Sequence, residues 1–200
     1  MIAKYKAIVL FLFLQTSVFS QDLGKAYFAG GCFWCTEAIY LRINGVISVL
    51  PGYCGGNTAK PTYDEICIGN TGHTETIKIE YDSEIIGYDA LVDIFFNTHD
   101  PTTLNRQGND IGTQYRSAIF YGNDQEKQIV LDYMDDFQKS IKFINKVVTE
   151  VKMLDVFYEA EDYHKNYYNM NNNASYCSLV ITPKISKFME KYKEMLKKIT

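Results

Sequence analysis

The chain has 200 residues, of which 46% are hydrophobic, 22% charged and 14% aromatic, as is typical of a globular protein. Its 13 glycines and 4 prolines are too few for a collagen-like or low-complexity chain, and its length suits one domain with its own core. The formal net charge is −4, whereas a dedicated nucleic-acid-binding protein carries an excess of basic residues. Fibrous and disordered classes are therefore excluded, and we expect no nucleic-acid partner.

The first residues have the pattern of a secretory signal peptide. Two lysines precede an apolar run over 7–14, and small residues precede a cleavage site after residue 20. The run is shorter than the roughly 20 apolar residues that a membrane-spanning helix needs. We therefore expect residues 1–20 to be removed and residues 21–200 to form a single exported domain, periplasmic or extracellular.

The rest of the chain alternates between strand and helix patterns. In chain order, these patterns predict a strand over 26–29, a helix over 35–41, strands over 46–49 and 77–81, a helix over 89–97, a strand over 115–121, a helix over 124–139, a strand over 145–153 and a helix over 184–198. Three stretches between them are predicted loops, at 51–75, 98–114 and 161–177. Alternating strands and helices indicate one sheet that is covered by helices.

The segment Gly30-Gly31-Cys32-Phe33-Trp34-Cys35 places a thiol where a predicted strand passes into a predicted helix. Unpaired N–H groups and the dipole at a helix N-terminus lower the pKa of a cysteine there, from about 8.5 to roughly 3.5–7.5. The sequence therefore predicts that Cys32 is a nucleophile, with Phe33 and Trp34 as an apolar wall beside it. Five cysteines are few for a disulfide framework in an exported domain, which also favours reactive thiols.

The spacing of Cys32 and Cys35 has two other interpretations. It is typical of one half of a zinc site, but neither a second cysteine pair nor a nearby histidine pair completes four ligands, so we expect no metal. It is also typical of a thioredoxin-like disulfide oxidoreductase, in which such a pair opens a helix after a strand. A secreted binding module without enzymatic activity is a third alternative.

Residues 31–34 resemble the active-site signature of the peptide methionine sulfoxide reductase A family. Further blocks resemble the family's sequence in the same order, at 52–56, 61–63, 71–75, 99–101, 106–110, 111–117 and 160–164. Seven blocks in order are far more specific than one motif of four residues. The resemblance covers nearly all of the chain that follows the predicted signal peptide.

The resemblance implies a fold and a reaction. The fold is α+β, an α/β two-layer sandwich whose mixed sheet has a ferredoxin-like β-α-β-β-α-β core and is followed by a less regular C-terminal segment. The reaction is the reduction of methionine-S-sulfoxide, free or in oxidised proteins and peptides, through a sulfenic acid on Cys32 and an intramolecular disulfide. A thioredoxin-like or other dithiol reductant restores the thiols, no cofactor is needed, and we expect a monomer.

The resemblance also implies roles for polar residues of the site. Glu75 matches the catalytic acid, and Tyr63 and Tyr115 match hydroxyls that hold the sulfoxide oxygen. Asp110 matches a polar residue that organises this network. A carboxyl group beside aromatic rings has a raised pKa, so that Glu75 can stay protonated and donate a proton.

Phe33 and Trp34 are implied to surround the S-methyl group of the substrate, and we call this pair the aromatic cup. Cys177 matches the C-terminal resolving cysteine. Cys35 stands where many family members have glycine, so it either resolves Cys32 directly or relays a disulfide. The remaining candidates are expected to be structural: a hydrogen-bonding histidine and two packing thiols, at His73, Cys54 and Cys67.

Overall fold

The computed structural model of the protein describes residues 23–140 and 145–198. The predicted signal peptide, residues 1–20, lies outside the described residues. Within the described ranges, no helix combines the length and the apolar character that a membrane crossing requires.

A six-stranded sheet forms the centre of the fold. Its strands are β1 (Gly24–Gly30), β2 (Val46–Cys54), β3 (Thr74–Tyr81), β6 (Ser117–Tyr121), β7 (Glu150–Met153) and β8 (Tyr158–Glu159), in the spatial order β7-β6-β1-β3-β2-β8. Neighbouring strands are antiparallel except for the parallel pair of β6 and β7. A separate hairpin is formed by β4 (Arg106–Gln107) and β5 (Asp110–Ile111).

The described residues form six α-helices: α1 (Phe33–Tyr40), α2 (Tyr63–Ile68), α3 (Tyr88–Thr98), α4 (Asp124–Ser140), α5 (Tyr167–Met170) and α6 (Thr182–Lys191). The first four lie between strands, and α5 and α6 follow β8. Shorter turns are three 3-10 helices, Thr113–Tyr115, Asp162–His164 and Lys193–Met195, and a π-helix, Cys177–Ile181. The succession β1-α1-β2-β3-α3-β6 with the strand order β6-β1-β3-β2 is a ferredoxin-like core. The α+β prediction is therefore confirmed.

Alternation along β1 divides the buried side chains between the two faces of the sheet. Phe28 belongs to the large core, where it packs against rings from α1 and α3. Its neighbour Ala29 belongs to a smaller cluster with Cys54 and Phe120 on the opposite face. The C-terminal segment, residues 160–181, follows β8 and returns to the N-terminal end of α1, where it completes the site described below.

Several element boundaries differ from the sequence predictions. The predicted loop 51–75 contains the end of β2, the start of β3 and all of α2, which a capping box between Thr62 and Glu65 initiates. The predicted strand 145–153 is a strand only over Glu150–Met153. The predicted helix 184–198 begins earlier, at Thr182, and ends at Lys191.

Candidate active site

The turn between β1 and α1 holds Cys32. Gly31 has φ +90°, and a Cβ at this position would lie 2.6 Å from Cγ of Gln107, so the turn requires glycine. Cys32 is the N-cap residue of α1 and only 8% of its surface is exposed. The predicted strand–turn–helix arrangement around this thiol is confirmed.

A buried carboxyl group lies beside this turn. Glu75 is the second residue of β3, and its Oε2 accepts a hydrogen bond of 2.9 Å from the backbone N–H of Phe33, the residue after Cys32. Burial raises the pKa of Glu75 to about 8, and the nearby Asp110 adds to the shift. The carboxyl is therefore largely protonated at neutral pH, and the predicted direction of its pKa shift is confirmed.

The thiol of Cys32 does not have the lowered pKa that the sequence predicts. Burial raises its pKa well above the ordinary value, and the hydrogen-bonded thiol of Cys35 and the nearby Glu75 raise it further. The desolvation of the thiolate outweighs the helix terminus. The pKa of Cys35 is lowered, chiefly because its sulfur accepts the hydrogen bond from Cys32. In the hydrogen bond between the two sulfurs, Cys32 is therefore the donor and Cys35 the acceptor.

The two rings of the aromatic cup lie side by side at the start of α1, and the C-terminal segment adds two rings beside them. Phe33 and Trp34 have ring centroids 6.4 Å apart. The ring of Tyr167 stacks on Trp34 at 3.7 Å with an interplanar angle of 8°. The imidazole of His164 lies 4.8 Å from Phe33, and its Nδ1 accepts a hydrogen bond of 3.1 Å from the indole N–H of Trp34. His164 thus holds the indole by its polar edge, while Tyr167 covers its face.

Two half-buried phenols face the carboxyl group of Glu75. Burial raises the pKa of both Tyr63 and Tyr115, and in each case Glu75 is the next cause, so these hydroxyls stay protonated as hydrogen-bond donors. Tyr63 begins α2, and its backbone N–H donates to Oε1 of Glu161 at 2.8 Å. The other oxygen of Glu161 accepts a hydrogen bond of 2.8 Å from the hydroxyl of Tyr53. Glu161 thereby fixes the start of α2 against β2.

Asp110 reaches the site from the β4–β5 hairpin. Its Oδ2 accepts a hydrogen bond of 2.7 Å from the hydroxyl of Tyr176. Burial and the adjacent thiols of Cys32 and Cys35 raise the pKa of Tyr176. Asp110 therefore lies near Cys35, and it ties the C-terminal segment to the hairpin.

The described part of the chain thus collects, around one turn, a thiol, a protonated carboxyl, two phenols and an aromatic cup. The described residues as a whole contain no cluster of three or more histidine, cysteine or acidic side chains that would hold a metal ion. A family model described as peptide methionine sulfoxide reductase matches residues 24–197. The chain belongs to this family. Its reaction is accordingly the reduction of methionine sulfoxide, and a thioredoxin-like disulfide oxidoreductase is not favoured.

Individual relatives of this reductase chain match over most of their length. Peptide methionine sulfoxide reductase MsrA of Saccharolobus solfataricus is 52% identical over 172 residues, which are 86% of this chain and 96% of the relative. The MsrA of Acinetobacter baumannii is 47% identical over 173 residues, 86% of this chain and 98% of the relative.

Solved structures agree with this assignment. Reduced Mxr1 of Saccharomyces cerevisiae has a TM-score of 0.71 and 34% identity, covering 78% of this chain and 89% of that one. Methionine sulfoxide reductase A of Corynebacterium diphtheriae has a TM-score of 0.68 and 35% identity, covering 74% and 75%. The predicted family and fold are therefore both confirmed.

The other cysteines of this reductase differ in position and exposure. Cys177 is fully buried in the π-helix, and burial and the nearby Cys35 raise its pKa. Cys54 is also fully buried, as predicted for a packing thiol. Cys67 is exposed on α2 beside Tyr63, so the prediction that it packs in the interior is wrong. Cys67 directly follows Ile66, the one buried residue of α2, and helical geometry turns its side chain about 100° away from that buried position.

Glu161 and His164 are site residues that the sequence alone did not indicate, although both lie in the family-like block 160–164. His73 has the structural role that was predicted, because its Nδ1 accepts from the N–H of Gly56 at 3.1 Å and its Nε2 lies 2.8 Å from the carbonyl oxygen of Thr58. These bonds fix the loop after β2 and use both ring nitrogens.

Proposed function

We propose that this reductase acts on methionine-S-sulfoxide, free and in oxidised proteins, with Cys32 as its nucleophile and Glu75 as its acid. One observation carries the proposal: the 2.9 Å hydrogen bond from Phe33 to Glu75 places a carboxyl with a raised pKa at the helix terminus that bears Cys32. A sulfoxide whose sulfur meets the thiol has its oxygen within reach of a proton donor there. The arrangement therefore supplies both the nucleophile and the acid that the reaction needs.

The chemistry proceeds as an oxygen transfer between two sulfur atoms. The sulfur of Cys32 attacks the sulfoxide sulfur while Glu75 donates its proton to the oxygen, and the hydroxyls of Tyr63 and Tyr115 hold that oxygen. The oxygen then passes to the sulfur of Cys32 as its bond to the substrate sulfur breaks, which gives a sulfenic acid, and the bond between the two sulfurs breaks to release the product thioether. The proton released by the thiol restores Glu75, so that one thiol and one sulfoxide give one sulfenic acid and one thioether.

Two kinds of surface in the site explain selectivity for one epimer. The aromatic cup accepts the S-methyl group, which stays apolar when methionine is oxidised. The carboxyl group of Glu75 and the nearby phenols of Tyr63 and Tyr115 receive the oxygen. Exchanging the positions of methyl and oxygen places a polar atom against aromatic rings, which is costly. We assign the favoured configuration as S from the family resemblance.

We propose that the sulfenic acid is resolved in two steps. Cys35 is hydrogen-bonded to Cys32 and has a lowered pKa, so its sulfur is placed to condense with the sulfenic acid, which forms a disulfide and releases water. Cys177 then attacks Cys35, so that the disulfide passes to Cys35 and Cys177 and the Cys32 thiol is regenerated. An external dithiol of the thioredoxin type reduces this disulfide and becomes oxidised itself.

We also propose that residues 21–200 act as a monomer outside the cytoplasm. The support is the signal-peptide pattern of residues 1–20. A fusion of these residues to a reporter that is active only after export tests this directly, with the two lysines changed to glutamate as the matched control. Export of the wild-type fusion alone is the expected result, and a cytoplasmic wild-type fusion contradicts the proposal.

The decisive experiment for the catalytic proposal is a stereospecific assay on residues 21–200. Cys32→Ser is expected to abolish reduction of the S epimer. Cys54→Ala is the control, because Cys54 belongs to the small cluster on the opposite face of the sheet, and this variant is expected to keep the activity. Circular dichroism checks that both variants fold. Turnover by folded Cys32→Ser contradicts the assignment of the nucleophile, and equal turnover of both epimers by the wild-type protein contradicts the assigned selectivity.

A further inference from the structure

A buried acidic side chain on α1 has no part in the chemistry proposed above. Glu37 is 1% exposed, one helical turn after Phe33 and Trp34. Its Oε1 accepts a hydrogen bond of 2.7 Å from the backbone N–H of Asn166, and its Oε2 is buried without a hydrogen-bond partner among the described residues. A carboxyl group is costly at such a position. Its one strong contact therefore indicates what it does.

That contact fixes the residue that precedes Tyr167. Asn166 has φ 53° and ψ 31°, a left-handed conformation that asparagine adopts more readily than most residues with a Cβ atom. The left-handed turn directs the following residue, Tyr167, onto the face of Trp34. The side chain of Asn166 is exposed, and its Oδ1 accepts a hydrogen bond of 2.6 Å from Nδ2 of Asn169 in α5. The carboxyl group of Glu37 is the buried partner that holds its backbone.

A second bridge between α1 and α5 lies farther from the site. Arg42 donates from Nη2 to Oδ1 of Asn169 at 3.0 Å, and its guanidinium lies 5.3 Å from the ring centre of Tyr168. This bridge does not contact the indole, and it reaches Asn166 only through Asn169, whose Nδ2 donates to Oδ1 of Asn166 at 2.6 Å. Glu37 is thus distinguished from Arg42 because it bonds directly to the backbone of Asn166, at the end of α5 that faces the aromatic cup.

We propose that Glu37 is a positioning residue for substrate binding: through the N–H of Asn166 it places Tyr167 on Trp34 and so fixes the indole wall of the aromatic cup. The inference rests on the proposed function, in which that wall receives the S-methyl group. A wall that is fixed before substrate arrives lowers the entropic cost of binding. Loss of the contact therefore weakens binding, whereas Cys32 and Glu75 keep their places and the chemical step continues.

The chain provides an optical reporter, because Trp34 is its only tryptophan. In Glu37→Ala, the quenching of tryptophan fluorescence by acrylamide is expected to rise about threefold, and KM for methionine-S-sulfoxide about tenfold, with kcat changed by less than about twofold. Glu37→Gln keeps an oxygen acceptor for Asn166 and is expected to restore both values. Glu190→Ala, an exposed acidic residue of α6, is the matched control and is expected to change neither.

Tyr167→Ala keeps the test decisive if Glu37→Ala does not fold. It removes the stacked ring itself and is expected to reproduce the rise in quenching and in KM. If both variants fold, combining them is expected to raise KM no further than either change alone, because they act through one contact. Normal quenching and KM in folded Glu37→Ala, or in Tyr167→Ala, overturns the proposal. The quenching needs no turnover, so it distinguishes this result from a failure of the proposed reaction.

Discussion

The site is made by two regions that are held in different ways. Cys32 and Glu75 come from the sheet scaffold, where β1 and β3 pair along five residues and a backbone N–H joins the two sides. The C-terminal segment has no comparable ladder within the described residues, and it is attached by side chains such as Glu37, Glu161 and Tyr176. The difference indicates that the reacting groups and the aromatic cup sit on the scaffold, whereas the rings that pack on Trp34 and the resolving cysteine Cys177 sit on a segment that is held mainly by side-chain contacts.

Glu75→Gln changes the proton donor on the sheet scaffold, and we expect it to have the largest effect. The variant keeps an acceptor for Phe33 but loses the proton donor, so we expect kcat to fall by roughly 100- to 10,000-fold. Because the pKa of Glu75 is about 8, wild-type kcat is expected to fall as the pH rises above that value. Steady-state kinetics from pH 6 to about 9.5 measure both effects.

The control for this change is Glu80→Gln on the same strand, where the side chain contacts Ser48 and Lys78 instead of the site.

The pH dependence of unfolding provides a second check on Glu75. In the native state Glu75 holds its proton up to about pH 8, but in the unfolded chain only up to its ordinary value of 4.5. The free energy of unfolding of the wild type is therefore expected to fall, relative to Glu75→Gln, as the pH rises between these values. Unchanged kcat in Glu75→Gln contradicts the assignment of the acid.

Substitutions of the resolving cysteines test the C-terminal segment. Cys177→Ser is expected to complete one turnover and then to stop cycling with thioredoxin, leaving a disulfide between Cys32 and Cys35. Cys35→Ser is expected to slow the resolution of the sulfenic acid, because Cys177 must then travel to Cys32 itself. Mass-spectrometric mapping of the disulfide after one turnover distinguishes these outcomes, with Cys54→Ala as the control. Normal cycling of Cys177→Ser assigns the resolving role to Cys35 alone.

A smaller effect is expected where the two regions meet at Glu161. Glu161→Ala removes the acceptor of the Tyr63 N–H and of the Tyr53 hydroxyl, so the phenol of Tyr63 is held less firmly. We expect kcat/KM to fall about tenfold, which corresponds to the loss of one charge-assisted hydrogen bond at about 1.5 kcal/mol. Asp162→Ala, an exposed neighbour, is the control. An unchanged kcat/KM in Glu161→Ala shows that Tyr63 is held by its packing alone.

Local patterns predicted the scaffold better than the segment that closes it. Local patterns found β1, α1, β3 and α3, because their apolar residues are buried in the core. They missed α2, whose only buried residue is Ile66 and whose sequence signal is the capping box at Thr62. The helix is too short and too exposed for a periodic pattern.

The site shows the same division. The glycine turn predicted the place of Cys32 correctly, because backbone conformation is a local property. The direction of its pKa shift was wrong, because burial under the C-terminal segment depends on residues more than a hundred positions away, such as Tyr176. Glu37 was missed for a related reason: in the sequence, a glutamate in a helix is typical of a solvated face, and only the fold brings Asn166 to it.

The burial that keeps Cys32 protonated also determines which oxidants it meets. Hydrogen peroxide and similar small oxidants react with exposed thiolates, and a shielded thiol is a poor target for them. An enzyme that repairs oxidative damage works where such oxidants are abundant, and an open, acidic thiol would be consumed before any substrate arrived. Here the oxidising equivalent enters with the sulfoxide, beside the proton donor that its reduction requires. The resting protein thus keeps the thiol of Cys32 protected from small oxidants, and this thiol reacts when the sulfoxide substrate binds.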